Sequence, residues 1–187
     1  MFPLTLLPLP GELIPLHIFE PRYKQLLEDA EITDISFGIF LNHTCNTGKL
    51  GALMKLESVI KRYASGESDI VLRCIDTFTM GKLYRNYRTK LYPGGEITLW
   101  KIDVQAMPCV ELYELFLAYQ EKRKINRHFT AFTLYQVATE LNLDLSERYK
   151  LMTLPALKRD AFLITQLKFQ MHVMQQEEQS KDVFHLN

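Results

Sequence analysis

The sequence predicts an α+β fold in which a β-rich half is followed by a helical half. Two observations carry this. Up to about Val104 the chain holds short apolar runs broken by turn residues, and many such runs suggest a barrel or sandwich. After Pro108 the apolar residues recur every three or four positions, the period of helices with one face on a core. A third observation bounds both halves: 47% of the 187 residues are hydrophobic and 24% charged. That is enough apolar surface for a core and too much for a disordered chain. The expected domains are residues 1–105 and residues 106–187.

Phe2 to Leu9 and Leu13 to Phe19 read as strands separated by the turn Pro10-Gly11-Glu12. Prolines inside them suggest edge strands, where a missing N–H costs little. Pro21 to Ala30 reads as a helix, with Glu20 at its cap and Pro21 in its first turn. Its stripe is Tyr23, Leu26, Leu27 and Ala30. Ser36–Leu41 and Lys49–Arg62 alternate as strands, a polar turn spans Tyr63 to Ser68, and Asp69–Phe78 restarts a strand. Pro93-Gly94-Gly95 reads as a turn before a strand over Ile97–Val104.

The helical half begins with a face of Val110, Tyr113, Phe116, Leu117 and Tyr119 that ends near Lys124. Phe132–Leu141 and Asp144–Met152 follow as helices, the latter with Ser146 as its cap. The last helix starts near Pro155 with the stripe Leu157, Ala161, Ile164, Leu167, Met171 and Met174, and its polar tail from Gln175 is expected to fray.

Charge and cysteine usage exclude several classes. The 22 basic and 22 acidic residues balance, which removes a generic phosphate-binding coat, so no nucleic-acid partner is expected from net charge. Three cysteines, Cys45, Cys74 and Cys109, are odd in number and far apart. This fits a reducing cytoplasm rather than a disulfide framework. Prolines at 3, 8, 10 and 15 and a first basic residue at Arg22 do not fit a secretory leader, and no apolar run reaches membrane-span length.

No catalytic signature is present. The Gly-Lys pairs precede Leu50 and Leu83 rather than Ser or Thr, and no P-loop, nucleophile elbow, H-E-x-x-H or C-x-x-C occurs. No catalytic residue, metal ligand or cofactor is assigned. His43 and Cys45 are close in sequence but lack a second pair to complete a zinc site. Cys74 reads as a small buried hydrophobe, and His17 as a hydrogen-bonded structural histidine. Glu20 and Arg22 read as cap and ion pair.

One patch offers a binding surface. Lys82, Arg85, Arg88 and Lys90 have no acid between them and interleave with Tyr84, Tyr87 and Tyr92. Cations with aromatic faces can hold single-stranded nucleic acid; the plainer explanation is a solvated strand face whose tyrosines pack on a neighbour. A second basic run, Lys122 to Lys124 with Arg127, reads as a helix C-terminus complementing its dipole.

The run Pro10-Gly11-Glu12-Leu13-Ile14-Pro15-Leu16-His17-Ile18-Phe19-Glu20-Pro21-Arg22-Tyr23, with Phe2-Pro3-Leu4 before it, resembles the signature of the Lon protease N-terminal, or substrate-binding, domain. Phe37-Gly38, Gly51-Ala52 and Gly66 to Phe78 also match the family's strands. Cys74 and Thr77 depart from it, standing where the family often has Gly and Arg. The resemblance implies a PUA-like β-barrel, or pseudobarrel, followed by a helical subdomain. It makes Pro15, Leu16, His17, Phe19, Glu20, Pro21, Arg22 and Tyr23 a mainly structural signature. It implies a stand-alone protein without the ATPase and Ser–Lys protease modules, binding unfolded or apolar polypeptide and not catalytic, as an adaptor or regulator in proteolysis. A Lon-type protease is a second candidate partner, and self-association is suggested by the oligomeric state of Lon. The alternative is an RNA-binding PUA-like protein using residues 82–92. A hydrolase ranks last, because no nucleophile or base can be named.

Overall fold

The computed structural model describes residues 1–123 and 131–184, with side chains of the last helix described through Glu177. Among these residues the chain forms six strands and five helices. They are β1 (Phe2–Leu4), β2 (Leu13–Ile18), α1 (Pro21–Thr33), β3 (Phe37–Leu41), β4 (Leu50–Arg62), β5 (Ser68–Tyr84), β6 (Gly94–Leu99), α2 (Val110–Lys122), α3 (Leu134–Glu140), α4 (Leu145–Thr153) and α5 (Ala156–Phe184). The α+β class expected from the sequence is the class observed. Two compact units are present: Met1–Val104 with Asp144–Tyr149, and the described residues of Gln105–Leu143 with Lys150–Asn187.

The first unit is one sheet in the order β1-β3-β4-β5-β2, with β6 also paired to β5. Only β1 and β3 run parallel; the other pairs are antiparallel. β4 and β5 pair through three register shifts, and each bulge bends its strand and increases twist. The two end strands therefore reach one core. Phe2 of β1 and Ile18 of β2 join Tyr23, Leu26, Leu27 and Ala30 of α1, and Ile39, Met54 and Leu72 of the sheet. The Phe2 and Tyr23 ring centroids are 4.0 Å apart. This curl around α1 makes the sheet barrel-like while leaving it open.

Two glycines make room inside the curl. A Cβ at Gly51 would lie 2.3 Å from Phe78 Cζ, and one at Gly38 would lie 2.8 Å from it. Phe78 is fully buried against Met1 and Met80. Nearby, the buried Asp76 carboxylate accepts backbone N–H groups from Thr77 (2.8 Å), Lys101 (3.0 Å) and Ile102 (3.1 Å). It fixes the chain leaving β6.

Residues Asp144–Tyr149 complete this unit. Arg148 makes two bonds to Glu12, at 2.6 and 3.0 Å, and a third to Leu7 O at 3.3 Å. Tyr149 Oη accepts from Gly48 N–H at 2.9 Å. In the second unit α2 and α5 pack together, with Leu112, Phe116, Tyr119, Leu163 and Leu167 buried. A capping box between Thr133 and Gln136 starts α3.

Several expected boundaries shift. Only Phe2–Leu4 of the first apolar run is strand; Leu7 and Leu9 are fully buried in a loop held by Arg148. β5 runs six residues past Phe78, and Gly94-Gly95 open β6 rather than forming a turn. Residues 100–104 lie outside the strand, and Asp76 takes the N–H groups of Lys101 and Ile102. Glu20 is the N-cap of α1, but its side chain pairs with Arg22 at 2.6 Å instead of capping. The α4 cap is Asp144, which exchanges bonds with Glu147, rather than Ser146. Leu157 and Val110 are exposed, so the buried stripes of α5 and α2 are centred on Leu163/Leu167 and Leu112/Phe116. Helix α5 continues through the expected polar tail to Phe184. Lys124, Arg127, His128 and His185 lie outside the described residues.

Candidate functional site

The signature residues divide by strand alternation. Leu13, Pro15, His17 and Phe19 are exposed, while Ile18 is buried and Ile14 and Leu16 are half-buried. His17 Nδ1 is 2.7 Å from Asp69 Oδ1 and its Nε2 is 3.4 Å from Glu67 Oε2. The hydrogen bond to Asp69 holds the imidazole pKa above its usual 6.5, helped by the charges of Asp69 and Glu67. Tyr63 Oη donates to the other Asp69 oxygen at 2.6 Å, and its bond with that of His17 holds the Asp69 carboxyl below the usual range. Both ring nitrogens face carboxylates, so the geometry suits a structural cation and not a general base. Pro21 begins α1 and Tyr23 packs in the core. Arg22 bonds Glu20 and lies over the Tyr23 ring at 4.8 Å.

The basic-aromatic stretch splits into an anchoring part and a presenting part. Lys90 pairs with Asp29 at 2.8 Å, Tyr92 Oη donates to the same carboxylate at 2.6 Å, and Leu91 N–H donates to Gln25 at 2.8 Å. These bonds to Lys90 and Tyr92 hold the Asp29 carboxyl low, and burial pushes the Tyr92 hydroxyl up. Residues 90–92 are thus fastened to α1. Lys82, Arg85 and Arg88 carry no ion pair among the described residues. Lys82 lies over Tyr84 at 5.1 Å and Arg88 over Tyr87 at 5.3 Å, while Tyr84 Oη bonds Glu96.

Exposed apolar side chains concentrate at the same place: Leu83, Tyr84, Tyr87, Leu91, Ile97 and Leu99. Beside them is a cleft of about 290 Å³. One wall is Met1 with Ile35–Gly38; the other is Tyr87, Tyr92–Gly95 and Ile97; Leu53 lies between. Its lining holds no acid, cysteine or histidine, so it offers shape and apolar contact rather than chemistry. At just under the ~300 Å³ at which ligand pockets usually begin, it suits side chains better than a cofactor. The alternation of Ile97 and Leu99 was visible in the sequence; the wall from β3 was not, because it arrives only through the curl.

The remaining groups are structural or isolated. Cys74 is buried, its thiol pushed up to about 12 by desolvation. His43 Nδ1 is 3.0 Å from Cys45 Sγ, and among the described residues no group of three metal-ligating side chains forms. The second unit has a cleft of about 580 Å³ beside Met107, Tyr135, Leu157 and Arg159, where Arg159 is held by Tyr135 Oη at 2.6 Å. Among the described residues no helix is long and apolar enough to cross a membrane.

Comparison with solved structures agrees with the resemblance read from Pro10 to Tyr23. The chain is similar to a Lon N-terminal domain protein from Xanthomonas campestris, with 25% identity and a TM-score of 0.63, over 82% of this chain and 88% of that one. It is also similar to the N-terminal domain of a Mycobacterium avium complex Lon protease, with 16% identity and a TM-score of 0.48, over 94% and 96% of the two chains. No protein-family model matches the sequence, and no curated protein matches it.

Proposed function

We propose that this chain, folded like a Lon N-terminal domain, is a non-catalytic module that binds unfolded or apolar polypeptide, serving as an adaptor or regulator in proteolysis with a Lon-type protease as a further partner. The observation that carries this is the cluster of exposed apolar side chains around the cleft of the first unit. Apolar surface gathered at one place, rather than scattered, is the mark of a contact site. The cleft lining holds no acid, cysteine or histidine side chain, and its one amine, the Met1 α-amino group, is bonded to Pro93 O.

An RNA-binding role for residues 82–92 has less support. Two of its tyrosine faces are already covered by Lys82 and Arg88, Lys90 is spent on Asp29, and Glu96 brings a negative charge into the patch. Fluorescence anisotropy on a panel of labelled unfolded segments tests the first reading. Binding of apolar segments is expected, and binding of none of them overturns it.

A further inference from the structure

We propose that the open edge of β6 is a docking strand for an extended polypeptide segment in which an apolar residue is flanked by acidic ones. The inference rests on the polypeptide-binding reading and assigns it a place and a chemistry.

Beyond Met54 the β3-facing side of β4 has no strand partner but is tied to α1 by the Lys55–Asp34 and Arg62–Glu31 ion pairs. Of the edges of β1, β2 and β6, the first two are closed to strand addition. Pro3 sits in the middle of β1. In β2, the bond from Cys74 N–H to Glu12 O (3.0 Å) sets the parity of the ladder with β5. Pro15 then has its nitrogen on the open side, where a proline leaves no donor. Proline on an edge is a standard guard against pairing with another chain. β6 has no proline, and among the described residues it pairs only with β5. Here Trp100 N–H donates to Thr77 O at 2.9 Å, so Thr98 faces β5 and the N–H and C=O of Ile97 and Leu99 point away from it. Every residue of β6 after Gly94 is exposed.

An added strand obtains affinity from main-chain bonds and selectivity from pockets for alternate side chains. The cleft between β6 and the start of β3 is such a pocket, lined by Phe37, Leu53, Tyr87 and Ile97. Charge selects the flanking residues. Lys82 near the end of β5, and Arg85 and Arg88 in the stretch leading to β6, carry no ion pair among the described residues. Glu96 keeps its charge beside the neutral Tyr84 hydroxyl, while Asp29 is paired with Lys90, so these three cations outnumber the one acid of the patch without a cationic partner. A segment with Asp or Glu beside its apolar anchor meets these cations, and one rich in Lys or Arg is repelled. A second copy is the poorer occupant. Symmetric edge pairing would bring two copies of the same basic stretch to one interface.

The test uses short labelled peptides with a Leu or Phe centre flanked by Asp/Glu, the Lys-flanked counterpart, and the acidic peptide N-methylated at alternate positions. These are titrated against the intact chain and against Leu99→Pro and Arg85→Glu/Arg88→Glu, with circular dichroism melts to confirm folding. The acidic peptide should bind at least about tenfold more tightly than the basic one, and the charge reversal should cost about tenfold and flatten the salt dependence. N-methylation and Leu99→Pro should each abolish most of the binding. If Leu99→Pro does not fold, the charge reversal and the N-methylated peptide decide alone. Peptide binding indifferent to both would overturn this site while leaving the polypeptide-binding reading standing. Self-association lost in Leu99→Pro with peptide affinity unchanged, or an RNA oligonucleotide taken in place of the peptide, would also overturn it. Failure of the intact chain to bind any peptide would sink both.

Discussion

Glu12 and Arg148 form a two-pronged ion pair, with 2.6 Å between Nη1 and Oε2 and 3.0 Å between Nη2 and Oε1, across 136 positions of sequence. Their side chains are only 10% and 12% exposed. Glu12 also accepts from Leu9 N–H at 2.8 Å, so one carboxylate ties the turn before β2 to the start of α4. Removing one partner strands the other charge in a poorly solvated place. Arg148→Ala is expected to destabilise the fold by about 3–5 kcal/mol, a loss of roughly 6–20 °C in Tm at about 2–4 °C per kcal/mol. A thermal melt within about 1 °C of the parent would show the pair to be dispensable.

Gly51 should not tolerate a methyl group. The added Cβ would meet the Phe78 ring at 2.3 Å and Ile39 O at 2.7 Å, and a fully buried ring has nowhere to move. Gly51→Ala is expected to cost about 1–3 kcal/mol. Adding Phe78→Leu should recover part of that loss, because it removes the ring the methyl strikes. Denaturant melts of the single and double variants check this, and strict additivity would refute the clash.

Cys74 is expected to be unreactive in the native state. Its thiol is buried and its pKa stands at about 12, raised first by desolvation, so almost no thiolate exists near pH 8. Iodoacetamide should label the exposed Cys109 and the half-buried Cys45, and Cys74 only in denaturant. Mass spectrometry of the labelled chain decides, and native labelling of Cys74 at the rate of Cys109 would contradict its burial.

The His17–Asp69 pair predicts a pH window. His17 has a raised folded pKa, so its contribution is complete below about 6.5 and lost as pH rises through the folded value. Asp69 has a lowered folded pKa, so its contribution is complete above about 3.8 and lost as pH falls through the folded value. The pair therefore stabilises most between these limits. Proton NMR should show His17 titrating above 6.5 in the parent and lower in Asp69→Asn. An unchanged midpoint in that variant would disprove the coupling.

Local features of the fold were legible and distant ones were not. The α1 stripe Tyr23, Leu26, Leu27 and Ala30 is buried as its spacing requires, and Phe37, Ile39 and Leu41 alternate inward on β3. Leu7 and Leu9 show why an apolar run is an ambiguous signal: both are fully buried, yet Leu7 O accepts from Arg148 of α4 and Leu9 N–H donates to the Glu12 side chain, instead of pairing with a neighbouring strand. Gly94-Gly95 carried turn chemistry in sequence. In the fold Gly95 is a strand residue whose missing side chain lets Lys82 O approach to 2.7 Å of where a Cβ would stand. Of the proposed binding surface, the cations and tyrosines of residues 82–92 were readable. Their division was not, because Asp29 and Glu96 reach them from other elements.

The placement of Asp144–Tyr149 within the first unit has a consequence for how the chain is made. A ribosome delivers β1 to β6 long before it delivers Arg148 and Tyr149. Residues 105–143, the first of the two segments of the other unit, must be synthesised in between. At about 5–20 residues per second that is a wait of roughly 2–8 s. During it Glu12 has no guanidinium and Gly48 N–H no phenol oxygen. The nascent β-rich unit is incomplete for that interval, which is the period in which a chaperone or a protease would meet it.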